Sequence, residues 1–191
     1  MKRFLVVIFL MTYQIQSQNS MESKLPYYEI PDTPESYTAG TVAARMLDGL
    51  GFRYYWATEG LQPEDLSFKP SDDARTSAET IDHIYILSKV ILNATLQQSN
   101  EGVNDIPDLT FNEKRQQTLE NIKTAADILR ASDDISQFKL IFSEREFPFR
   151  NSINGPIEDA VWHCGQIVSF RRSSGNPYNS KANVFTGKVR E

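Results

Sequence analysis

The sequence predicts an all-α fold, a four-helix bundle with long crossover connections, on three observations. Four stretches carry apolar residues at intervals of three and four, the spacing that lines one face of an α-helix. Each opens on residues that favour a helix start: Thr33 with Pro34, Thr76 with Glu79, Thr110 with Glu113, and Pro156. The segments between them are long, so neighbouring helices need not be joined by tight turns. A chain of 191 residues fits one domain with a substantial core.

The elements follow in order. Lys2 and Arg3 precede the apolar run Phe4 to Met11, and small and polar residues follow to Ser17 and Gln18. This is the pattern of a secretory signal peptide over residues 1–17, in a run too short to span a bilayer. Residues 18–33, with Pro26 and Pro31, read as an N-terminal arm, either laid on the domain or disordered. The helical domain is expected over 34–175. Its first helix should run from Pro34 to Thr58 with the stripe Val42, Met46, Leu50, Tyr54 and Ala57, and Gly49 and Gly51 suggest close packing against another backbone. After a loop over 61–75 comes the second helix, Ser77 to Gln98, whose stripe is Glu79, His83, Ile86, Val90 and Ala94. The third, Thr110 to about Ala131, carries Phe111, Thr118, Leu119, Ile122, Ala125 and Leu129 on one face. Residues 132–154 are the least helical of the domain and read as a crossover with some extended structure, packed by Phe138, Phe142, Phe147 and Phe149. Pro156 then starts the fourth helix, which stops near Arg172 ahead of Gly175 and Pro177, and 176–191 form a polar C-terminal tail.

Charge and cysteine content exclude some functions. Removal of residues 1–17 takes the formal net charge from -5 to -7, and an acidic domain is a poor partner for nucleic acid, whose phosphates need clustered Lys and Arg. Cys164 is the single cysteine, so no intramolecular disulfide forms. None stands near the cleavage zone either, which argues against a lipid anchor.

The chain has two histidines, His83 and His163, and each falls on the inward stripe of its helix. Asp159 precedes His163 by four residues and so shares its helix face. Two imidazoles and a carboxylate brought together between facing helices make a metal site. Each residue also has a plainer role: a helical His is commonly a packed or surface residue, and an acid in a first helical turn is favoured by the helix dipole. Glu79 stands four residues before His83, but its spacing from Thr76 fits a capping box better than a fourth ligand. Cys164 follows His163 directly, yet a turn of about 100° per residue aligns it with Ile157, Ala160 and Val161, in the packing layer. Arg171 and Arg172 could receive an anion, although at the last turn they more commonly complement the dipole. A Glu-x-x-His pair of the di-iron type, a glycine-rich phosphate loop and a Gly-x-Ser-x-Gly elbow are all absent.

The segments FRYYWATEGL, SAETIDHIYILS and DAVWHCGQIVSFRRSSGNP resemble the DinB/YfiT-like superfamily of four-helix metal-binding proteins, in an exported branch, over about Pro34 to Gly187. The specific parts are the His of the second helix and the HxGQ element of the fourth, here His163, Cys164, Gly165 and Gln166. The resemblance implies a divalent metal, commonly nickel or zinc, held by one His from the second helix and a His-x3-His pair from the fourth. His83 matches the first ligand and His163 the last; Asp159 departs from the pattern at the middle position. The superfamily's activities include metal-dependent transfer of low-molecular-weight thiols and some hydrolytic or isomerising reactions.

The expectation is therefore an exported, divalent-metal-dependent enzyme of the thiol-transfer or hydrolytic class, with His83, Asp159 and His163 as ligands. Zn and Ni lead, and Mn and Fe also suit two His and one carboxylate. The partner is a small-molecule substrate, without nucleic acid or membrane anchor, and a homodimer is compatible with the sequence. No third His is present to act as base, which leaves Glu79 or Tyr54 for that role. The rival expectation is a non-catalytic bundle that binds a small ligand or partner over a degenerate metal site.

Overall fold

The computed structural model describes residues 25–191, so the expected signal peptide and the first part of the arm lie outside the described residues. What is described is mostly helical, with two short hairpins. No helix among the described residues is long and apolar enough to cross a membrane.

Helix α1 (Ala39–Thr58) begins five residues later than Pro34 suggests. The start is set by Thr38, whose side chain accepts from the Thr41 N–H while Thr41 Oγ1 accepts from the Thr38 N–H, a reciprocal cap that the Thr33–Pro34 pair cannot offer. The buried stripe differs accordingly in its first half: Ala43, Ala44 and Leu47 point inward and Val42 is half-exposed, while Leu50, Tyr54 and Ala57 are buried as read. The glycines also act differently from expectation. A Cβ on Gly40 would lie 1.9 Å from the Ser132 carbonyl oxygen, so this is where backbones meet; a Cβ on Gly51 would lie 2.3 Å from the Tyr27 ring, so Gly51 seats a side chain of the arm.

A short helix, α2 (Pro63–Ser67), lies within the expected 61–75 loop, started by Pro63 at the first helical position. Helices α3 (Ser77–Leu96) and α4 (Phe111–Arg130) open on the two Thr/Glu capping boxes. The crossover that follows holds a hairpin of β1 (Lys139–Phe142) and β2 (Arg145–Pro148), antiparallel with Lys139 opposite Pro148, and a single turn, α5 (Arg150–Ser152). A wide π-type turn over Ile153–Ile157, broken at Gly155 (ψ -110°), then feeds α6 (Glu158–Ser173). The non-helical backbone at Gly155 separates these turns from the fourth long helix, which therefore starts at Pro156 as the sequence suggests and is regular from Glu158.

Helices α1 and α3 each pack against both α4 and α6. Leu47, Leu50, Tyr54, Ile81, Ile84, Ile91, Leu119, Ile122, Leu129, Ile157 and Ile167 fill the space between them, each almost wholly buried. Residues 25–33 lie on this core through Tyr27 and Ile30, and the tail joins them: strands β3 (Ala182–Asn183) and β4 (Lys188–Val189) form a hairpin whose Gly187 carbonyl accepts the Ile30 N–H at 2.8 Å.

The C-terminal end of α1 is closed by two buried arginines. Arg115 donates to Thr58 Oγ1 at 3.0 Å and pairs with the Glu59 carboxylate. Arg171 donates to the carbonyls of Trp56, Ala57 and Glu59 at 2.9 to 3.2 Å. Its role as the complement of its own helix dipole is therefore corrected: it satisfies the orphan carbonyls of α1, and it is not placed to receive an anionic substrate. Arg172 is exposed and stacks over the Tyr178 ring.

Candidate metal centre

His83 stands in the second turn of α3, fixed in phase by Ile81 and Ile84, which are buried on either side of it. Asp159 and His163 stand one turn apart on α6, and Ala160, Cys164 and Ile167 bury the adjoining face. Packing of α3 on α6 brings the three polar side chains together. His83 Nε2 is 3.1 Å from Asp159 Oδ2, and His163 Nε2 is 3.3 Å from Asp159 Oδ1. The two imidazoles meet edge to face, with ring centres 4.6 Å apart at 88°. One donor atom from each of the three residues lies within 4.8 Å of the others, an arrangement that could hold a metal ion. Exposure is graded across the group: the side chains of His163, His83 and Asp159 are 13%, 28% and 40% accessible. The carboxylate side therefore faces solvent.

Gln166, the last residue of the HxGQ element, completes the geometry in a role that sequence reasoning does not assign to it. Its Oε1 lies 2.7 Å from His163 Nδ1. A carbonyl oxygen only accepts, so Nδ1 carries a hydrogen and Nε2 is the nitrogen left to meet a cation. Nε2 and a carboxylate oxygen face each other at 3.3 Å. Only a cation between them, a proton or a metal ion, makes the approach favourable. An acceptor behind the imidazole, as Gln166 supplies here, is the outer support that metal-binding histidines generally have. The signal was present as a Gln three residues after a His, a helical neighbour spacing, but it carried no role of its own.

The remaining candidates fall elsewhere. Glu79 is engaged in its cap: Oε2 accepts from the Thr76 N–H at 2.7 Å, and that bond, with the one from the Thr76 hydroxyl, holds its carboxyl below the ordinary glutamate value. Tyr54 is wholly buried in the core, and burial drives its hydroxyl well above the ordinary tyrosine value. Neither is available as a base. Cys164 is buried and turned from the site, and burial pushes its thiol up to about 12, which makes it a packing residue.

The far end of α6 is locked. Asp65 of α2 accepts from the Ser174 hydroxyl and from Asn176 Nδ2, and also from the Gln62 N–H at 2.9 Å. Burial alone raises the Asp65 carboxyl, but these hydrogen bonds outweigh it and hold the group below the ordinary aspartate value. Together with Arg171, they fix the height of α6 against α1 and α3.

No protein-family model matches the chain, and neither a curated protein nor a solved structure matches it.

Proposed function

We propose that this chain is a divalent-metal-dependent enzyme built on a four-helix bundle of the DinB/YfiT-like kind, working outside the cytoplasm on a small molecule by thiol transfer or hydrolysis. One observation carries the reading: two imidazole nitrogens and a carboxylate, drawn from two helices, converge with Nε2 of His163 turned to Asp159 by the contact of Nδ1 with Gln166. Two nitrogens and one oxygen suit Zn, Ni, Mn or Fe(II), with Zn and Ni favoured by the imidazoles. Three protein ligands with one exposed side leave room for a substrate group, as catalytic sites do and closed structural sites do not.

A bound divalent ion supplies Lewis acidity there and favours the ionised form of a water or thiol nucleophile. The chain's own residues do the rest. His83 and His163 supply two imidazole nitrogens from rings set edge to face, Asp159 contributes charge at the solvent-facing edge, and Gln166 holds the His163 tautomer. No side chain among the three is left over as a separate base, so proton removal falls to solvent at the Asp159 edge.

Elemental analysis of protein purified without a metal-affinity tag tests the reading. The expected result is close to one equivalent of a divalent transition metal, lost when His83 or His163 is replaced by Ala. Protein that stays metal-free and gains no stability from added Zn or Ni would overturn it. The triad would then be a hydrogen-bonded tie between α3 and α6 in a non-catalytic binding bundle.

A further inference from the structure

Helix α6 borders a second concavity, apart from the His83, Asp159 and His163 group. Successive residues turn by about 100°, so Val161 and Gly165 lie on the side away from Asp159 and His163. There they border a half-open cavity of about 210 Å3 between α1 and the C-terminal tail. Trp56 and Arg53 of α1 form one wall, and Tyr178 and Val184 of the tail close the other.

Three features give this cavity a ligand chemistry. Its walls are largely apolar: the Trp56 indole N–H is already donated to the Tyr28 carbonyl at 3.1 Å, so Trp56 offers the cavity only its ring. Its floor is left open, because a Cβ on the mid-helix Gly165 would meet nothing within 4 Å. Its cation is unmatched. Arg53 spends one N–H on the Gly49 carbonyl, at 2.9 Å, and among the described residues pairs with no carboxylate, although a guanidinium has five donors. One planar fork in an apolar cleft fits one carboxylate. The volume corresponds to about seven waters at roughly 30 Å3 each, which limits the ligand body to about that many heavy atoms.

We propose that this cleft binds a small monocarboxylate with a compact apolar or aromatic body, its head on Arg53 and its body against Trp56 and the Gly165 floor. The site is separate from the metal centre and does not depend on it.

The test is an NMR titration of the full chain, kept in a chelator, with benzoate and its neutral isostere benzamide. The chain's two tryptophans report separately: Trp56 lines the cleft, while Trp162 is 73% exposed and does not line it. Benzoate should shift the Trp56 indole signal saturably and leave that of Trp162 in place, and benzamide should bind about tenfold more weakly or worse. Arg53→Gln should weaken benzoate by about tenfold or more, and Gly165→Leu, which fills the floor without crowding its neighbours, should remove binding of both. Equal affinity for the two compounds, benzoate binding that survives Arg53→Gln, or a response at Trp162 in place of Trp56 would each overturn the proposal. Asp159→Ala should leave benzoate binding unchanged; its loss there would place the anion at the metal-ligand cluster and equally overturn it.

Discussion

Replacing Asp159 by Ala isolates the one oxygen donor of the proposed ligand set. The change removes that donor, which stands 3.1 Å from His83 Nε2 and 3.3 Å from His163 Nε2, and leaves the two imidazoles facing each other. In the absence of metal the helix loses a dipole contribution of about 0.3 to 1 kcal/mol. The loss of metal binding should be much larger. Changes to the outer support of a ligand cost about 10- to 100-fold in affinity, so loss of a ligand itself should cost about 100-fold or more. This sets the reading of a thermal assay. At a free metal concentration of about 100 times the dissociation constant, the parent protein gains roughly 2.7 kcal/mol, which for a chain of this size raises the melting temperature by about 5 to 10 °C. At the same metal concentration the variant, with its constant raised at least that much, gains about 0.4 kcal/mol or less, a shift of about 1 °C. Asp159→His should recover the shift with Zn or Ni, since imidazole suits both ions. A metal-induced shift that Asp159→Ala leaves intact would refute the ligand set, and with it the reason for Asp159 to face both histidines.

Four further outcomes are expected. Gln166→Ala should weaken metal binding by about 10- to 100-fold at nearly unchanged apo stability, while Gln166→Glu, which keeps the acceptor on His163 Nδ1, should retain it; equal affinity in all three, by competition with a chromogenic chelator, would remove Gln166 from the site. Cys164→Ala should cost on the order of 1 kcal/mol in denaturant unfolding and leave metal content as it was. Arg171→Met should destabilise by about 3 kcal/mol or more, because each buried carbonyl left without a donor costs about 1 to 3 kcal/mol, and three carbonyls of α1 depend on this guanidinium. The depressed Asp65 carboxyl should contribute stability that is complete above the unfolded aspartate value near pH ~4 and is lost as pH falls through its lower folded value; Asp65→Asn should flatten that acid limb, and an unchanged limb would show that the lock does not titrate.

The parts legible in the sequence are those in which local chemistry and tertiary packing agree. Thr76 with Glu79 and Thr110 with Glu113 specify their helix starts through bonds made within four residues, so α3 and α4 begin one residue after Thr76 and Thr110. His83, Asp159 and His163 could be placed on facing stripes for a similar reason: the helical period fixes a side chain's direction once the apolar face is known. The misread parts depend on contacts made far along the chain. Val42 fits an apolar stripe by spacing, but α1 is turned so that Gly40 can meet the α4 terminus at Ser132, and Val42 is left half-exposed. Arg171 stands in a last helical turn, where its own dipole is a sufficient local account, and only the fold brings the end of α1 to it. Gln166 is singled out only by the HxGQ element, without a role, because nothing in its spacing separates a support for His163 from an ordinary polar helix residue.

The arrangement of α6 explains why so few residues suffice for a site. The helix divides its circumference into a polar face with Asp159, His163 and Gln166 toward α3, an inner face with Ala160, Cys164, Ile167 and Arg171 in the core, and an outer side with Val161 and Gly165 at the tail cleft. A shift of one residue along α6 would rotate each face by about 100° and carry Asp159 away from His83. The phase therefore has to be held at both ends. At the C-terminal end Arg171 binds the carbonyls of α1 while Ser174 and Asn176 bind Asp65. At the N-terminal end Gly155 and Pro156 break the regular hydrogen-bonding and set where α6 begins relative to the turns before it. Metal affinity should consequently respond to changes at Asp65 or Arg171 even though neither belongs to the triad, and it should respond through both His83–Asp159 and His163–Asp159 geometry at once, because the two α6 ligands move as one rigid unit against a single histidine on α3.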